Sequence, residues 1–195
     1  MRIFVAIDLD TEIRQKIARF LDGVCPFAPD ARWVTAESLH VTLKFIGEQK
    51  PEQVDAIKDR LRRVKANAIE IRFTGTGFFP TPRSPRVFWI GIQAGPELVK
   101  LAATVDAATA ELGIPREERA FSPHLTLARG GGGSGSPKWR KGDGPNTTFS
   151  VLQKRLDTMT ALDFGTMTAR EFFLYQSQLS PKGSKYTKLE HFSLT

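Results

Sequence analysis

The chain has few of the residues that build disulfides and metal centres. It contains a single cysteine, Cys25, and three histidines among its 195 residues. One cysteine cannot form an internal disulfide, and this composition fits the reducing cytoplasm. Zinc sites usually take three or four ligands from cysteine pairs or from H-x-x-x-H spacings, and the sequence has neither pattern. We therefore expect no metal ion and no other cofactor.

Long apolar segments are also missing. The longest apolar runs are far shorter than the ~20 residues that a membrane-spanning helix needs, and the apolar stretch over residues 3–7 is too short for a secretory leader. Hydrophobic residues make up 41% of the chain and charged residues 25%, which is typical of a globular protein. The sequence predicts a cytoplasmic protein without a membrane anchor, and we expect a monomer.

Acidic residues are outnumbered by basic ones, which gives a formal net charge of +7. This balance favours an anionic partner, and nucleic acid is the leading candidate. Charge by itself is equally consistent with a soluble basic protein that binds no nucleic acid. Residues with a chemistry of their own must therefore decide between these two interpretations.

Two of the three histidines begin the same four-residue pattern, His-x-Thr-Leu, at His40-Val-Thr42-Leu and at His124-Leu-Thr126-Leu. Ordinary composition gives such a match about once in a hundred histidines, so two matches among three are not expected by chance. Successive side chains of a strand point to opposite faces. Each tetrad is therefore predicted to be a strand with an apolar back and a front that carries one imidazole and one hydroxyl.

Two such fronts facing each other would suit reactions of a phosphodiester. An imidazole has an ordinary pKa near 6.5, so one ring can accept a proton while its partner donates one. Threonine hydroxyls can donate hydrogen bonds to phosphate oxygens without a titratable charge. In-line attack on phosphorus needs a base for the entering oxygen, an acid for the leaving oxygen and donors for the non-bridging oxygens. The two tetrads supply these groups without a metal ion.

At these residues the chain resembles the 2H phosphoesterase superfamily, which is defined by two H-x-[ST]-x tetrads. The resemblance is greatest to the bacterial RNA 2′,3′-cyclic phosphodiesterases, also called 2′-5′ RNA ligases or LigT-like proteins. It extends beyond the tetrads and spans most of the chain. The similar blocks are residues 1–8, 33–48, 80 with 85–91, 174–177 and 186–190.

The resemblance implies an enzyme that hydrolyses RNA 2′,3′-cyclic phosphodiester ends to 2′-phosphomonoesters. It implies that His124 accepts the proton of the attacking water and that His40 donates a proton to the departing 3′ oxygen. Thr42 and Thr126 would hold the phosphoryl oxygens. Sequence symmetry alone does not say which histidine has which role. The expected partners are RNAs with cyclic phosphate ends, tRNA halves among them, or nucleotides, and the reverse reaction would be 2′-5′ ligation.

Two basic residues are candidates for contacts with the phosphate. Arg129 ends the second tetrad block, and the family has an arginine near the phosphate at this place. Strict alternation points Arg129 away from His124, whereas a bulge or the strand's end at Ala128 would turn it inward. Lys44 falls on the His40 face under strict alternation, where it would meet RNA phosphates or be an ordinary charge at the rim.

Two aromatic residues, Phe79 and Trp33, are candidates for stacking on a base, as exposed aromatics do in proteins that bind single strands. The alternative is that they fill the core, together with Phe78. Aromatic side chains in a globular domain more often do the latter.

Apolar periodicity predicts an α+β or α/β protein. It predicts a first helix capped by Thr11, a first tetrad strand over residues 39–46, and a long loop broken by glycine and proline over residues 75–85. Residues 164–169 and 171–179 alternate like the two strands of a hairpin. The resemblance implies the α+β choice: one domain over residues 1–195 with two interleaved, pseudo-symmetric lobes, each a mostly antiparallel sheet backed by helices, and a tetrad from each lobe at a central cleft.

A low-complexity Gly/Ser stretch departs from the family pattern, and we expect residues 130–144 to form a flexible loop. The basic and aromatic residues 138–141 would make it a lid over the cleft, or it is an idle surface insertion. Three rivals to the enzyme remain at this point. They are a non-catalytic RNA-binding module, a cyclic phosphodiesterase of a nucleotide or small metabolite, and a pair of purely structural histidines.

Overall fold

Alternating apolar residues make β1 (Arg2–Asp8) the strand around which the first sheet is built. Residues 3–7 are all buried, as expected of a strand covered on both faces. The computed structural model describes residues 1–130, 146–180 and 183–195. The other strands are β2 (Arg32–Trp33), β3 (His40–Glu48), β4 (Ile69–Thr81), β5 (Ser84–Ala94), β6 (His124–Arg129), β7 (Asp163–Ala169), β8 (Glu171–Ser180) and β9 (Gly183–Ser193), and the helices are α1 (Thr11–Val24), α2 (Pro51–Leu61), α3 (Pro96–Ala110) and α4 (Ser150–Asp157).

The strands form two antiparallel sheets, in the orders β3-β1-β8-β9 and β2-β6-β5-β4-β7. The two tetrad strands, β3 and β6, each pair with the strand that precedes a helix: β1 leads into α1, and β5 leads into α3. The short strand β2 lies between α1 and β3 in the chain but pairs with β6 in the second sheet. The α+β fold with two antiparallel sheets and helices, predicted from the resemblance, is confirmed.

The backs of both sheets and the apolar sides of the helices share one hydrophobic core. In α1 the predicted inward residues Ile13, Ile17, Leu21 and Val24 are buried. Proline stands in the first turn of both α2 and α3, where its missing N–H costs nothing. A second, smaller cluster lies on the front of the first sheet, and its members are Phe4, Ala6, Phe173 and Tyr175 with Tyr186 packed against them.

The cap of α1 differs from the prediction by one residue. Asp10, not Thr11, is the N-cap, and its carboxylate accepts a hydrogen bond from the Ile13 N–H at 2.8 Å. A carboxylate is as good a cap as a hydroxyl, and its negative charge also interacts favourably with the positive end of the helix dipole. The sequence offers both residues side by side, so only the backbone conformation distinguishes them.

The predicted loop over residues 75–85 is wrong, because β4 and β5 run through it as one long hairpin. The glycines that suggested a loop serve the sheet instead. Gly75 has a positive φ of 70° at an irregularity of the strand. A side chain at Gly77 would collide with the Trp89 ring, since a Cβ atom at that position would lie 2.2 Å from it. Pro80 and Pro85 face each other near the end of the hairpin, where a missing N–H is tolerated.

The predicted hairpin of residues 164–169 with 171–179 is also wrong. Both strands form, but β7 pairs with β4 in the second sheet, whereas β8 pairs with β1 and β9 in the first. Alternation identifies each strand without identifying its partner, and a single intervening residue, Arg170, lets the chain pass from one sheet to the other. The predicted flexible loop over residues 130–144, with the basic and aromatic residues 138–141, lies outside the described residues apart from Gly130.

Candidate active site

Both tetrad strands carry a β-bulge at the same place. In the pairing of β1 with β3, Val5 lies opposite Lys44 and Ala6 opposite Thr42, so Leu43 is the extra residue. In the pairing of β5 with β6, Phe88 lies opposite Ala128 and Trp89 opposite Thr126, so Leu127 is the extra residue. The two extra leucines are the last residues of the two His-x-Thr-Leu patterns. The strand phase therefore shifts by one residue immediately after each tetrad.

The bulge overturns the predicted position of Lys44. Leu43 and Lys44 are both buried, and Lys44 is only 2% exposed, on the face opposite His40. Its ammonium group donates hydrogen bonds to the Asp106 carboxylate and, at 2.9 Å, to the Pro115 carbonyl. Lys44 therefore ties β3 to α3 and to the segment that leads toward β6, and it is not a side chain of the histidine face.

The bulge at Leu127 turns Arg129 toward the histidine face. This orientation is one of the two alternatives predicted for the residue. Leu127 and Ala128 are both buried, and Arg129 is exposed on the front. Its positive charge lowers the pKa of both His40 and His124. A single charge acts on both imidazoles, and β3 contacts β6 directly. The two histidines therefore belong to one site between the sheets.

The two imidazoles are anchored in the same way. Nδ1 of His40 lies 2.7 Å from the Ser38 carbonyl oxygen, and Nδ1 of His124 lies 2.8 Å from the Ser122 carbonyl oxygen. A carbonyl oxygen only accepts hydrogen bonds, so Nδ1 must carry a proton in both rings. Nε2 is then the nitrogen left for a substrate: it accepts a proton in the neutral ring and donates one in the charged ring.

His40 is enclosed by aromatic rings. Its ring centroid lies 4.7 Å from that of Phe4 and 5.1 Å from that of Tyr186, which meets it edge on. This burial lowers the pKa of His40 from 6.5 to about 4. The hydrogen bond to the Ser38 carbonyl and the carboxylate of Asp8 oppose the shift. His40 is therefore neutral at pH 7 unless an anion binds beside it.

His124 has a similar but more open setting. Phe79 meets its ring edge on, at 4.9 Å between centroids and an interplanar angle of 87°. Burial and the charge of Arg129 lower the pKa of His124, against the hydrogen bond to Ser122. The residue opposite His124 on β5 is Gly91, whereas the residue opposite His40 on β1 is Asp8. The two histidines are alike in anchorage and unlike in the charge that faces them.

Asp8 holds a small charged network next to His40. Its carboxylate accepts hydrogen bonds from the Arg14 guanidinium and, at 2.5 Å, from the Lys188 ammonium. Arg14 also donates to the carbonyl oxygens of Ala36 at 2.5 Å and Leu9 at 3.2 Å. These contacts fix the turn that precedes β3 and thereby the backbone to which His40 is anchored.

Phe45 is a residue of the histidine face that the sequence argument missed. It lies opposite Phe4 across the strand pair, and opposite residues share a face, so its ring stands on the side of Phe4 and His40. The ring is 47% exposed, and the Arg2 guanidinium lies 4.8 Å from its centroid. Phe45 falls within the similar block over residues 33–48. Strict alternation places it with Val41 and Leu43, on the face opposite His40, and for that reason it was missed.

The aromatic candidates separate into two groups. Phe79 lies on the histidine face against His124 and Trp89, so a role in substrate binding stays a prediction for it. Trp33 is different: it lies opposite Ala128, on the core side of β6, and its indole N–H donates to the Ala28 carbonyl at 3.0 Å. The predicted base contact of Trp33 is therefore wrong, and the residue packs in the core, as Phe78 does against Phe88.

Within residues 1–130, 146–180 and 183–195, no three Cys, His, Asp or Glu side chains come together as ligands for a metal ion. Among the helices of those residues, none combines the length and the apolar character that a membrane span requires.

Comparison with known proteins gives a consistent result. The family model of LigT-like phosphoesterases matches the chain twice, over residues 7–89 and 90–186, with one tetrad in each match. The RNA 2′,3′-cyclic phosphodiesterase of Archaeoglobus fulgidus is 36% identical over 192 residues, which are 98% of this chain and 99% of the relative. The crystal structure of TT0787 of Thermus thermophilus has a TM-score of 0.77 at 30% identity, covering 100% of this chain and 98% of that one. E. coli LigT complexed with 3′-AMP has a TM-score of 0.76 at 27% identity, with coverage of 100% and 98%.

Proposed function

This chain belongs to the LigT-like phosphoesterase family, and we propose that it hydrolyses 2′,3′-cyclic phosphodiester ends of RNA to 2′-phosphomonoesters. The observation that carries the proposal is the pair of imidazoles, each anchored through Nδ1 to a carbonyl two residues earlier and both within reach of the charge of Arg129. Two Nε2 atoms that can each accept or donate a proton, with a guanidinium charge that acts on both, suit a phosphate anion that needs one base and one acid.

In the proposed reaction, water attacks phosphorus and the bond from phosphorus to the 3′ oxygen breaks. His124 accepts the proton of the water at Nε2, and His40 donates a proton from Nε2 to the departing 3′ oxygen. Thr42 and Thr126 donate hydrogen bonds to the non-bridging oxygens, and Arg129 balances the charge that grows on them. Afterwards His124 is charged and His40 is neutral, so exchange with solvent restores the starting state.

The difference between the facing residues supports this division of roles. Asp8 opposite His40 favours the charged imidazolium, which a proton donor needs, and Gly91 opposite His124 gives no such help. Burial, together with the charges of Arg129 and Arg14, keeps His40 neutral by lowering its pKa to about 4. The phosphate anion of the substrate would oppose that shift, because an anion beside an imidazole stabilises its protonated form. The acid would then be charged only when substrate is bound.

RNA is the proposed substrate class for three reasons. The chain carries a net charge of +7, and an exposed aromatic ring, Phe45, stands on the histidine face where a nucleobase can stack. The curated relative of 36% identity is an RNA 2′,3′-cyclic phosphodiesterase. We include tRNA halves with cyclic phosphate ends in this class and expect the protein to act as a monomer. Joining a cyclic phosphate end to a 5′ hydroxyl is the same chemistry in reverse, and bulk water should make hydrolysis dominant.

One alternative keeps the chemistry and changes the substrate to a free cyclic nucleotide. The related E. coli LigT was crystallised with 3′-AMP, which is a mononucleotide. A non-catalytic RNA-binding module remains the alternative of another class. Such a module would bind RNA in a salt-sensitive way whatever the chemistry of its 3′ end.

The test is incubation of the purified protein with an oligoribonucleotide that ends in a 2′,3′-cyclic phosphate. The proposal expects a product heavier by one water, carrying its phosphate on the 2′ oxygen, formed equally well in EDTA. The same oligonucleotide with a linear 3′-phosphate end is the control and should not react. No turnover would favour the binding module, a 3′-phosphate product would reject the assigned roles, and loss of activity in EDTA would reject the metal-independent mechanism.

A further inference from the structure

A cavity of about 510 Å³ adjoins His40 on the side away from Thr42. The part of its lining that comes from the first tetrad strand and its approach runs over residues 37–40, so the cavity lies on the N-terminal side of the imidazole. Its volume falls in the range of sites that hold a ligand the size of a nucleotide. We call it the upstream subsite, and the lining residues that matter below are Asp8, Arg14, Glu37, Tyr175, Tyr186 and Lys188.

The direction of an RNA chain through the site follows from the covalent structure of ribose. C3′ is bonded to C4′, which carries the 5′ carbon, whereas C2′ is bonded to C1′, which carries the base. If the C2′–C3′ bond lies along β3 with the 3′ oxygen at His40, the 5′ substituent therefore extends past His40 and the base extends the other way. The other side, beyond Thr42 along β3, is where Phe45 stands. The side past His40 is the upstream subsite.

One cation of the upstream subsite is available to a phosphodiester. Asp8 is paired with both Arg14 and Lys188, and these three side chains together carry one positive charge, which the exposed carboxylate of Glu37 offsets in the lining as a whole. The Lys188 side chain is 47% exposed. Its ammonium has three donors, of which Asp8 takes one at 2.5 Å, and it lies 4.1 Å from the centroid of the Phe173 ring. Lys188 is therefore held in place and still has donors to offer.

The rings of Tyr175 and Tyr186 supply the apolar part of the lining. Tyr175 stacks on Phe4 at 5.1 Å with an interplanar angle of 9°, and Tyr186 meets the same ring edge on. Packed in this way, the rings are held in place before any ligand binds, and they offer an apolar surface to a sugar or a base. Glu37, which also lines the subsite, is exposed.

We propose that the upstream subsite holds the nucleotide that precedes the cyclic phosphate, with Lys188 at the internal phosphodiester. The inference rests on the proposed function and on the assignment of His40 to the 3′ oxygen. It makes an oligonucleotide end, rather than a mononucleotide, the better substrate of this site.

The experiment compares three substrates: a 2′,3′-cyclic mononucleotide, a dinucleotide with the same cyclic phosphate end, and that dinucleotide with an uncharged methylphosphonate as its internal linkage. A charged hydrogen bond of this kind is worth about tenfold or more in affinity. We expect wild-type protein to prefer the ordinary dinucleotide over the mononucleotide by about tenfold or more in kcat/KM, mainly through KM. The methylphosphonate should lose most of this preference.

The variants are Lys188→Ala and Lys188→Glu, with Lys185→Ala and Lys185→Glu as matched controls three positions earlier on the same exposed strand. The measured quantity is the ratio of kcat/KM for the ordinary dinucleotide to that for the mononucleotide. We expect this ratio to fall toward one in Lys188→Ala, to fall further in Lys188→Glu and to persist in both Lys185 variants. The ratio of kcat/KM for the methylphosphonate to that for the mononucleotide should be insensitive to all four changes.

The outcomes separate the two proposals. No turnover of any substrate by the wild type would reject the proposed function. Turnover of mononucleotide and dinucleotide with equal kcat/KM, or a dinucleotide preference that survives Lys188→Glu, would reject only the upstream subsite. A preference that the methylphosphonate retains in full would reject the role of Lys188 at the internal phosphate.

Discussion

Phe45 and Arg129 occupy equivalent positions in the two tetrad strands. Each follows its tetrad histidine by five residues, 40 to 45 and 124 to 129, and each is returned to the histidine face by a bulged leucine. One site thereby gains an aromatic ring on the first strand and a guanidinium on the second. The same kind of bulge therefore delivers two different side chains to the histidine face.

Replacement of either tetrad histidine should remove most of the activity. In His40→Ala and His124→Ala we expect kcat on a cyclic nucleotide to fall by on the order of a hundredfold or more, because each loses a proton-transfer group. Thermal unfolding should show that both variants remain folded. The control is His191→Ala, which changes the exposed third histidine on β9 and should keep full activity. Full activity in both tetrad variants would reject the two-histidine mechanism.

The value of kcat/KM, which depends on the pKa values of the free enzyme, should be greatest at acidic pH. The pKa of His40 is about 4 and that of His124 is also lowered. As the pH rises, His40 therefore loses the proton that it must donate, and His124 becomes the neutral base, both before pH 6.5 is reached. The bell of kcat/KM against pH should therefore peak below about 6.5, and that of kcat should lie at higher pH because the bound anion raises the pKa of His40. A kcat/KM maximum at pH 7 or above would contradict these roles of His40 and His124.

Removal of the exposed ring on β3 should weaken nucleotide binding. Stacking of a base on an aromatic ring is worth about 1–3 kcal/mol, so Phe45→Ala should raise KM for a cyclic nucleotide by roughly five- to 150-fold. Phe45→Trp keeps an aromatic surface and should retain most of the affinity. Leu179→Ala, which shortens an exposed apolar side chain on β8, is the matched control. An unchanged KM in Phe45→Ala would show that no base stacks there.

Removal of one partner of the buried Lys44–Asp106 ion pair should destabilise the protein more than replacement of both partners by apolar residues. Lys44→Met leaves the carboxylate of Asp106 without its main partner, and the Asp106 side chain is only 15% exposed. We expect this variant to lose about 3–5 kcal/mol of unfolding free energy in urea titrations. The double change Lys44→Met with Asp106→Leu should recover much of the loss, since no uncompensated charge remains. Equal stability of the single variant and the wild type would mean that water reaches Asp106.

Much of the candidate site could be read from the sequence because strand alternation is a local property. His40 and Thr42 share a face whatever lies opposite them, and so do His124 and Thr126. The apolar stripe of α1 and the prolines that open α2 and α3 are likewise fixed by side-chain chemistry within a few residues. These features depend on the covalent chain and on nearest neighbours.

The failures of the sequence argument have a common cause. A β-bulge is a relation between two strands, two residues on one facing one on the other, so no composition within β3 announces that Leu43 is the extra residue. The strand partners of β7 and β8 depend on which edges are already occupied. Trp33 lies in the core because β2 pairs with β6 rather than with its neighbour in the chain.

The amino-acid sequence alone determined the two imidazoles with their hydroxyls and the strands that carry them. The tertiary structure alone decided that Lys44 lies inside, that Arg129 and Phe45 lie on the histidine face, and that Asp8 stands opposite His40 while Gly91 stands opposite His124. The physical reason is that side-chain direction along one strand follows from backbone geometry. Which side chains meet across strands follows from register, and register is set only when the sheets pack around a common core.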